Sequence, residues 1–240
     1  MKNSKYVYLF EEADGSNKRL LGGKGAGLAE MTRMGLPVPP GFIVTTEACT
    51  QYYENKKKLP KGLMDEVRAN LKKVEEKTGK IFGSPHNPLF FSVRSGAALS
   101  MPGMMDTILN LGLNNETIEG LIQITSDGRF AYDAYRRFIQ LFGKIALGVD
   151  EQEFDQILNQ TKEKAKAVED TDLDADHLKD ICKQYLTLVK KSTGSPFPKD
   201  PMVQLELAIG AVFKSWMGRR AVDYRREFRI TPDMANGTAV

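Results

Sequence analysis

The spacing of apolar and polar positions alternates strand and helix signals over the first hundred residues, then turns helical. Tyr6–Phe10 is a short aromatic and β-branched run that predicts a strand. Gly22-Gly23-Lys24-Gly25 opens the segment Ala26–Met34, in which Leu28, Met31 and Met34 recur at helical spacing and Gly35 marks a stop. Gly41–Thr45, entered from Pro37-Val38-Pro39-Pro40, predicts a second strand, with Thr46 capping a short helix that begins at Glu47. Leu63, Val67, Leu71 and Val74 mark one face of a longer helix ended by Gly79. Leu89–Val93 is apolar and runs straight into Arg94-Ser95-Gly96, which predicts a buried strand feeding a polar turn.

From about residue 111 the periodicity is helical throughout. Phe130, Ala134, Phe138, Leu141, Phe142 and Ile145 form a broad apolar face. Phe154, Ile157 and Leu158 form a second, and Leu178, Ile181, Tyr185 and Leu188 a third. Acidic starts at Asp150-Glu151 and Asp174-Ala175-Asp176 suit short helices in a small bundle. Pro196, Pro198 and Pro201 break the chain before another helix over Pro201–Met217.

Charge follows the same division. Residues 1–110 carry a net +5, residues 111–199 a net −3 and residues 200–240 a net +1. The pattern predicts an α+β lobe from 1–110 and 200–240, interrupted by a helical subdomain over 111–199.

The 240 residues are 41% hydrophobic and 27% charged, ordinary globular composition that argues against disorder. A chain of this length can bury roughly 70–75% of its unfolded surface without a disulfide or metal staple. A total of +3 is too small to imply a nucleic-acid or membrane partner. The apolar stretch Leu205–Phe213 is interrupted by Glu206, so no bilayer-spanning segment is predicted. The polar opening residues, with Glu11, Glu12 and Asp14, predict no signal or transit peptide. Cys49 and Cys182 lie far apart and in no CxxC pattern, which suits free thiols in a reducing cytoplasm.

Four segments carry possible chemistry, each with a structural alternative. Gly22-Gly23-Lys24-Gly25-Ala26-Gly27 could gather backbone N–H groups, a helix N-terminus and the Lys24 cation around an anion. Its spacing is neither a P-loop nor a dinucleotide fingerprint, and a plain strand-to-helix turn remains equally open. Arg94, ending an apolar strand, offers a planar fork for phosphate at a sheet rim, or a structural ion pair. In Met101-Pro102-Gly103-Met104-Met105-Asp106-Thr107, a glycine and an Asp–Thr pair could cover a phosphate and order a cation, while the methionines equally suit core filling or a hinge. Phe213–Arg229 interleaves arginines with Phe213, Trp216, Tyr224 and Phe228, and reads better as a helix with one packed and one solvated face than as a nucleic-acid surface. His86 falls in a surface loop and His177 opens a helix, so neither a zinc site nor a Cys–His pair is predicted.

Taken together, these segments resemble a known family. Leu20–Met31, Gly35–Phe42, Thr45–Cys49, Ser92–Ala97, Ser100–Leu113 and Arg129–Phe138 are similar to the N-terminal nucleotide-binding domain of pyruvate, phosphate dikinases, and the similarity continues to Gly237-Thr238-Ala239-Val240. Related phosphoenolpyruvate synthases usually carry Ser-Ser after the arginine and a Gln-rich loop in place of Met104-Met105, so the sequence resembles the dikinases more.

The resemblance implies the first lobe of an ATP-grasp domain with an inserted helical-bundle subdomain. It implies binding of MgATP and use of ATP and inorganic phosphate to phosphorylate a histidine on another domain, for conversion of pyruvate to phosphoenolpyruvate. By motif position it implies phosphate contacts from Gly22, Gly23, Lys24, Arg94, Gly103, Asp106 and Thr107, with magnesium ligands expected outside this chain. It also implies a cytoplasmic enzyme, a phosphohistidine domain as partner and a homo-oligomeric full-length protein. Neither His86 nor His177 matches the family's catalytic histidine motif, and no catalytic or metal-ligating residue is expected here. The chain reads as a fragment, inactive by itself. The competing readings are a phosphoenolpyruvate synthase-type nucleotide domain and a non-catalytic docking module.

Overall fold

A computed structural model describes residues 5–240, a mixed α/β chain with long helices and small sheets. It divides into two compact units: one takes in the chain up to Gly79, Val93–Thr107 and Ile209–Val240, the other Lys80–Ser92 and Ile108–Ala208.

In the first unit, β1 (Val7–Leu9) pairs antiparallel with β2 (Phe42–Val44) in the register Val7 to Val44. Between them runs α1 (Lys18–Arg33), and α2 (Thr46–Glu54) and α3 (Leu63–Thr78) follow. Leu63, Val67, Leu71 and Val74 are all buried, and α3 ends at Gly79 in a left-handed cap. The Glu66 carboxylate on α3 accepts the backbone N–H groups of Tyr6 (2.8 Å) and Val7 (2.9 Å), which fixes the start of β1. At the other end of the sequence, Val240 exchanges two backbone hydrogen bonds of 2.8 Å with Val44, so the last residues extend the sheet edge at β2.

Two helix starts differ from the sequence expectation. α1 begins at Lys18, with the Asn17 side chain accepting the Leu20 N–H, and kinks at Gly22. Its buried face is Leu21, Gly22, Gly25, Ala26 and Ala29, while Met31 and Met34 are exposed. Small residues let this helix approach its neighbours closely, so its packed face carries little hydropathy. For α2, Thr45 occupies the cap position and Thr46 is already helical, its hydroxyl donating to the Arg19 carbonyl at 2.7 Å.

The chain then forms β3 (Ile81–Phe82), β4 (Pro88–Leu89), β5 (Phe91–Arg94), β6 (Gly96–Ala97) and β7 (Thr107–Leu111). The apolar run expected as one buried strand is thus two short strands, and Ser92 is exposed. β3 and β4 pair in parallel within the second unit.

The rest of the second unit is helical: α4 (Thr117–Thr125), α5 (Gly128–Ala146), α6 (Glu151–Ala165), a 3-10 turn at Asp170–Asp172 and α7 (Ala175–Thr193). Side chains of Asp127, Asp150 and Asp174 accept N–H groups in the first turns of α5, α6 and α7. α7, with its acidic start, is 19 residues, longer than the short helix expected there. Phe138 and Phe142 pack on Phe197 at centroid distances of 5.6 and 5.3 Å, and Phe154 meets Tyr185 at 4.8 Å. The packed face of α5 is rotated from the expected one: Phe130 is 51% exposed, whereas Tyr135 and Arg136 are buried. Arg136 is held by Asp133 (2.8 Å) and Asp170 (2.9 Å), which explains how a guanidinium sits on that face.

α8 (Pro201–Ser215) and α9 (Arg219–Glu227) complete the helices, and β8 (Thr238–Ala239) pairs antiparallel with β6 in the first unit. The single helix expected across Phe213–Arg229 is broken at Trp216–Gly218. Phe213, Trp216 and Ala221 are buried, while Phe228 is exposed.

Candidate functional site

Within the first unit the glycine turn is part of α1. Gly22 has φ 68° and ψ 162°, an arrangement open to glycine and strained for other residues, and it interrupts the helix. The helix resumes at Gly23-Lys24-Gly25, so the first amides after the kink belong to a fresh helical N-terminus. Gly22 lies directly against the carbonyl of Gly96, and a Cβ at Gly96 would stand 3.4 Å from the Lys24 Cβ. The stem of Lys24 is thereby fixed two residues beyond Arg94. Gly96 N–H donates to the Thr238 hydroxyl at 3.2 Å, so β8 steadies the strand that backs the turn.

The structure thus brings Gly22, Gly23 and Lys24 against Gly96-Ala97-Ala98, the stretch that begins two residues after Arg94. Lys24 and Arg94 are both exposed, and among the described residues neither side chain makes a hydrogen bond or ion pair. An exposed lysine and an exposed arginine without carboxylate partners are both open to an anion.

The Met101–Thr107 loop belongs to the same unit and is fastened differently. Met101 is buried, and its carbonyl accepts the Met104 N–H at 3.2 Å in a tight turn. Gly103 is exposed with φ 73°. The Asp106 carboxylate pairs with Arg220 at 3.0 Å, the same guanidinium donates to the Gly103 carbonyl at 3.3 Å, and the Asp106 N–H meets the Ser215 hydroxyl at 3.4 Å. Among the described residues no hydrogen bond joins this loop to Lys24 or Arg94. The sequence reading missed Arg220, Ser215 and Thr238 as supports. Arg220 lay in the basic–aromatic stretch already singled out, but nothing in that stretch pointed to Asp106.

Other chemistry is sparse. Among the described residues no group of three or more His, Cys, Asp or Glu side chains could hold a metal ion, and Asp106 is already engaged. His86 is exposed, and His177 sits 2.7 Å from the Asp174 carboxylate at the start of α7. Burial pushes the thiols of Cys49 and Cys182 up to about 12, away from the thiolate form a nucleophile needs. No helix among the described residues is long and apolar enough to cross a membrane. A cavity of about 370 Å³ in the second unit is lined by Tyr135, Lys190, Phe197 and Lys199, and none of the expected phosphate-contacting residues lines it.

Residues 18–63 and 55–240 match the family described as pyruvate phosphate dikinase, AMP/ATP-binding domain. The chain belongs to that family. It is 58% identical over 234 residues to pyruvate, phosphate dikinase of Entamoeba histolytica, covering 98% of this chain and 26% of that protein. It is 48% identical over 245 residues to the enzyme of that name from Giardia intestinalis, covering 99% and 27%. The chloroplastic pyruvate, phosphate dikinase of Flaveria pringlei is 50% identical over 229 residues, covering 95% and 24%. The chain therefore spans about a quarter of the length of these curated relatives.

Proposed function

We propose that this chain supplies a phosphate-binding part of an ATP site in a pyruvate, phosphate dikinase-type phosphotransferase. The observation that carries this reading is the seating of the Gly22-Gly23-Lys24 turn on Gly96, which holds an unpaired lysine and fresh helical amides beside the segment bearing Arg94. Lys24 supplies a mobile point charge to the triphosphate, Arg94 a planar fork, and the amides of Gly22 and Gly23 line the approach. Gly103, Asp106 and Thr107 form the loop that covers the phosphates. We divide the chain into an ATP-grasp lobe, 1–110 with 200–240, and an inserted helical subdomain over 111–199; the two compact units support a two-part chain but group Lys80–Ser92 and the residues up to Ala208 with the helical part.

In the whole protein, ATP and inorganic phosphate would serve to phosphorylate a histidine on a separate domain, leading to phosphoenolpyruvate from pyruvate. Phosphoryl transfer requires charge neutralisation along the phosphates, which magnesium supplies when bound. The cationic side chains and amides named above fit the triphosphate, and we place the magnesium ligands outside this chain, as the family resemblance implies. We place the acceptor histidine outside it as well, because neither His86 nor His177 matches the family's catalytic histidine motif. The same reading places the protein in the cytoplasm, consistent with two buried free thiols, although the Flaveria relatives are named chloroplastic. The full-length enzyme is taken as a homo-oligomer.

Calorimetry with ATP and with tripolyphosphate tests the reading. Both should bind the 240-residue chain with similar affinity, and Arg94→Ala should abolish binding while leaving thermal stability unchanged. ATP binding that survives Arg94→Ala and Lys24→Ala would overturn it.

A further inference from the structure

The proposed phosphate-covering loop is not free to settle by itself, because one side chain from α9 touches it at two points. Arg220 donates to the Gly103 carbonyl at 3.3 Å and pairs with the Asp106 carboxylate at 3.0 Å, contacts that bracket the turn of the loop. The Asp106 N–H is separately taken by Ser215 at 3.4 Å, and the Ser215 hydroxyl itself donates to the Val212 carbonyl at 2.7 Å. Both supports flank the break between α8 and α9. The loop therefore reads its position from that break.

Arg220 is an odd residue for its own helix. The first turn of α9 contains Arg219 and Arg220 and no acidic side chain, so two cations face the positive end of the helix dipole. Arg219 pairs with Asp223 on α9 itself, and Asp106 supplies the negative partner of Arg220 from the loop. The contact thus serves both partners: it compensates the start of α9 and restrains Gly103–Asp106. Gly103 has φ 73° and no atom within 4 Å of the point where a Cβ would stand, so it has no packing of its own to hold it. Without Arg220, the exposed turn is left with one backbone bond and the Ser215 contact.

We propose that Arg220 is a positioning residue, a latch that holds the Gly103–Asp106 loop in a phosphate-ready arrangement. The proposal rests on the reading of that loop as phosphate-covering. A loop already ordered loses less conformational freedom when the triphosphate arrives, so the latch contributes affinity without touching the ligand. Because Arg220 is two-thirds exposed, the contribution is modest and salt-sensitive.

The test compares the wild-type chain with Arg220→Ala and Arg220→Lys, using hydrogen exchange of the peptide spanning 101–107 and calorimetry with tripolyphosphate. Arg220→Ala should speed exchange in that peptide by about fivefold and weaken tripolyphosphate by about fivefold, with the melting temperature unchanged. Arg220→Lys, which keeps the charge but not the fork, should recover part of both effects. Unchanged exchange, or unchanged affinity, in Arg220→Ala overturns the latch. Arg94→Ala separates the two readings: if it abolishes binding while Arg220→Ala has no effect, only the latch fails. If the wild-type chain binds no tripolyphosphate, the phosphate reading fails and takes the latch's role in binding with it.

Discussion

The space a side chain would need at Gly22 is filled by the carbonyl oxygen of Gly96. Gly22 also has φ 68°, so a substitution there is strained twice, by backbone conformation and by overlap with backbone that cannot rotate away. Gly22→Ala should cost about 2–3 kcal/mol in urea denaturation. Gly27, later in the same helix, has no atom within 4 Å of its would-be Cβ. Gly27→Ala should therefore stabilise the chain by about 0.5–1 kcal/mol. Equal effects at the two positions would mean that the turn is not seated on β6.

Nucleotide binding by this chain should be dominated by phosphate and by salt. Lys24 and Arg94 are exposed, so their contacts to a polyanion are screened as ionic strength rises. Two or three such contacts scarcely offset the cost of association, which sets affinity at roughly millimolar or weaker. Titrations at low and high potassium chloride should show a steep loss for ATP and tripolyphosphate alike, and adenosine should not compete. Micromolar, salt-insensitive ATP binding would require an adenine pocket among these residues.

The buried Arg136 gives the helical unit an acid-sensitive tie. Burial alone would raise the Asp170 carboxyl, but hydrogen bonds and charge from Lys162 and Arg136 outweigh it and hold the group below its ordinary value. A depressed carboxyl stabilises the fold above its unfolded pKa near 4, and that stabilisation fades as pH falls through the lower folded value. Acid unfolding followed by circular dichroism should show the loss below about pH 4, and Asp170→Asn should flatten that limb. Arg136→Met, which takes the buried partner from Asp133 and Asp170 and leaves them Arg137 and Lys162, should cost about 2–4 kcal/mol at neutral pH.

Both cysteines should be silent in the native chain. Their thiols are buried and held protonated, with burial as the main cause. A thiol-reactive chromogen should label neither at pH 7.5, and should label both once urea unfolds the protein. Rapid labelling of Cys49 or Cys182 in native buffer would contradict the packing around α2 or α7.

Elements whose packed face is made of large apolar residues were legible in the sequence. Leu63, Val67, Leu71 and Val74 on α3, and Leu178, Ile181 and Tyr185 on α7, stand inside as their spacing implies. On α1 the contact face is glycine and alanine, and the louder Met31 and Met34 signal points outward. Arg136 was hidden for a related reason: a charged residue on a packed face is invisible until its carboxylate partners are located in space. In the candidate site, the glycine turn, Arg94 and the 101–107 loop stand out as local strings. Arg220 does not, because its partner Asp106 lies 114 positions away and only folding joins them.

The break between α8 and α9 also places the chain's single tryptophan, Trp216, immediately after Ser215. Its indole is 5% exposed, and the Arg225 guanidinium lies 3.9 Å from the ring centroid while donating to the Trp216 carbonyl at 2.8 Å. Excitation at the red edge, beyond tyrosine absorption, therefore interrogates one indole beside the residue that receives the Asp106 amide. A rearrangement of the 101–107 loop that disturbs Ser215 would register as a change in emission wavelength or intensity. The molecule carries an optical gauge of that loop in its native sequence, readable in stopped flow without a label.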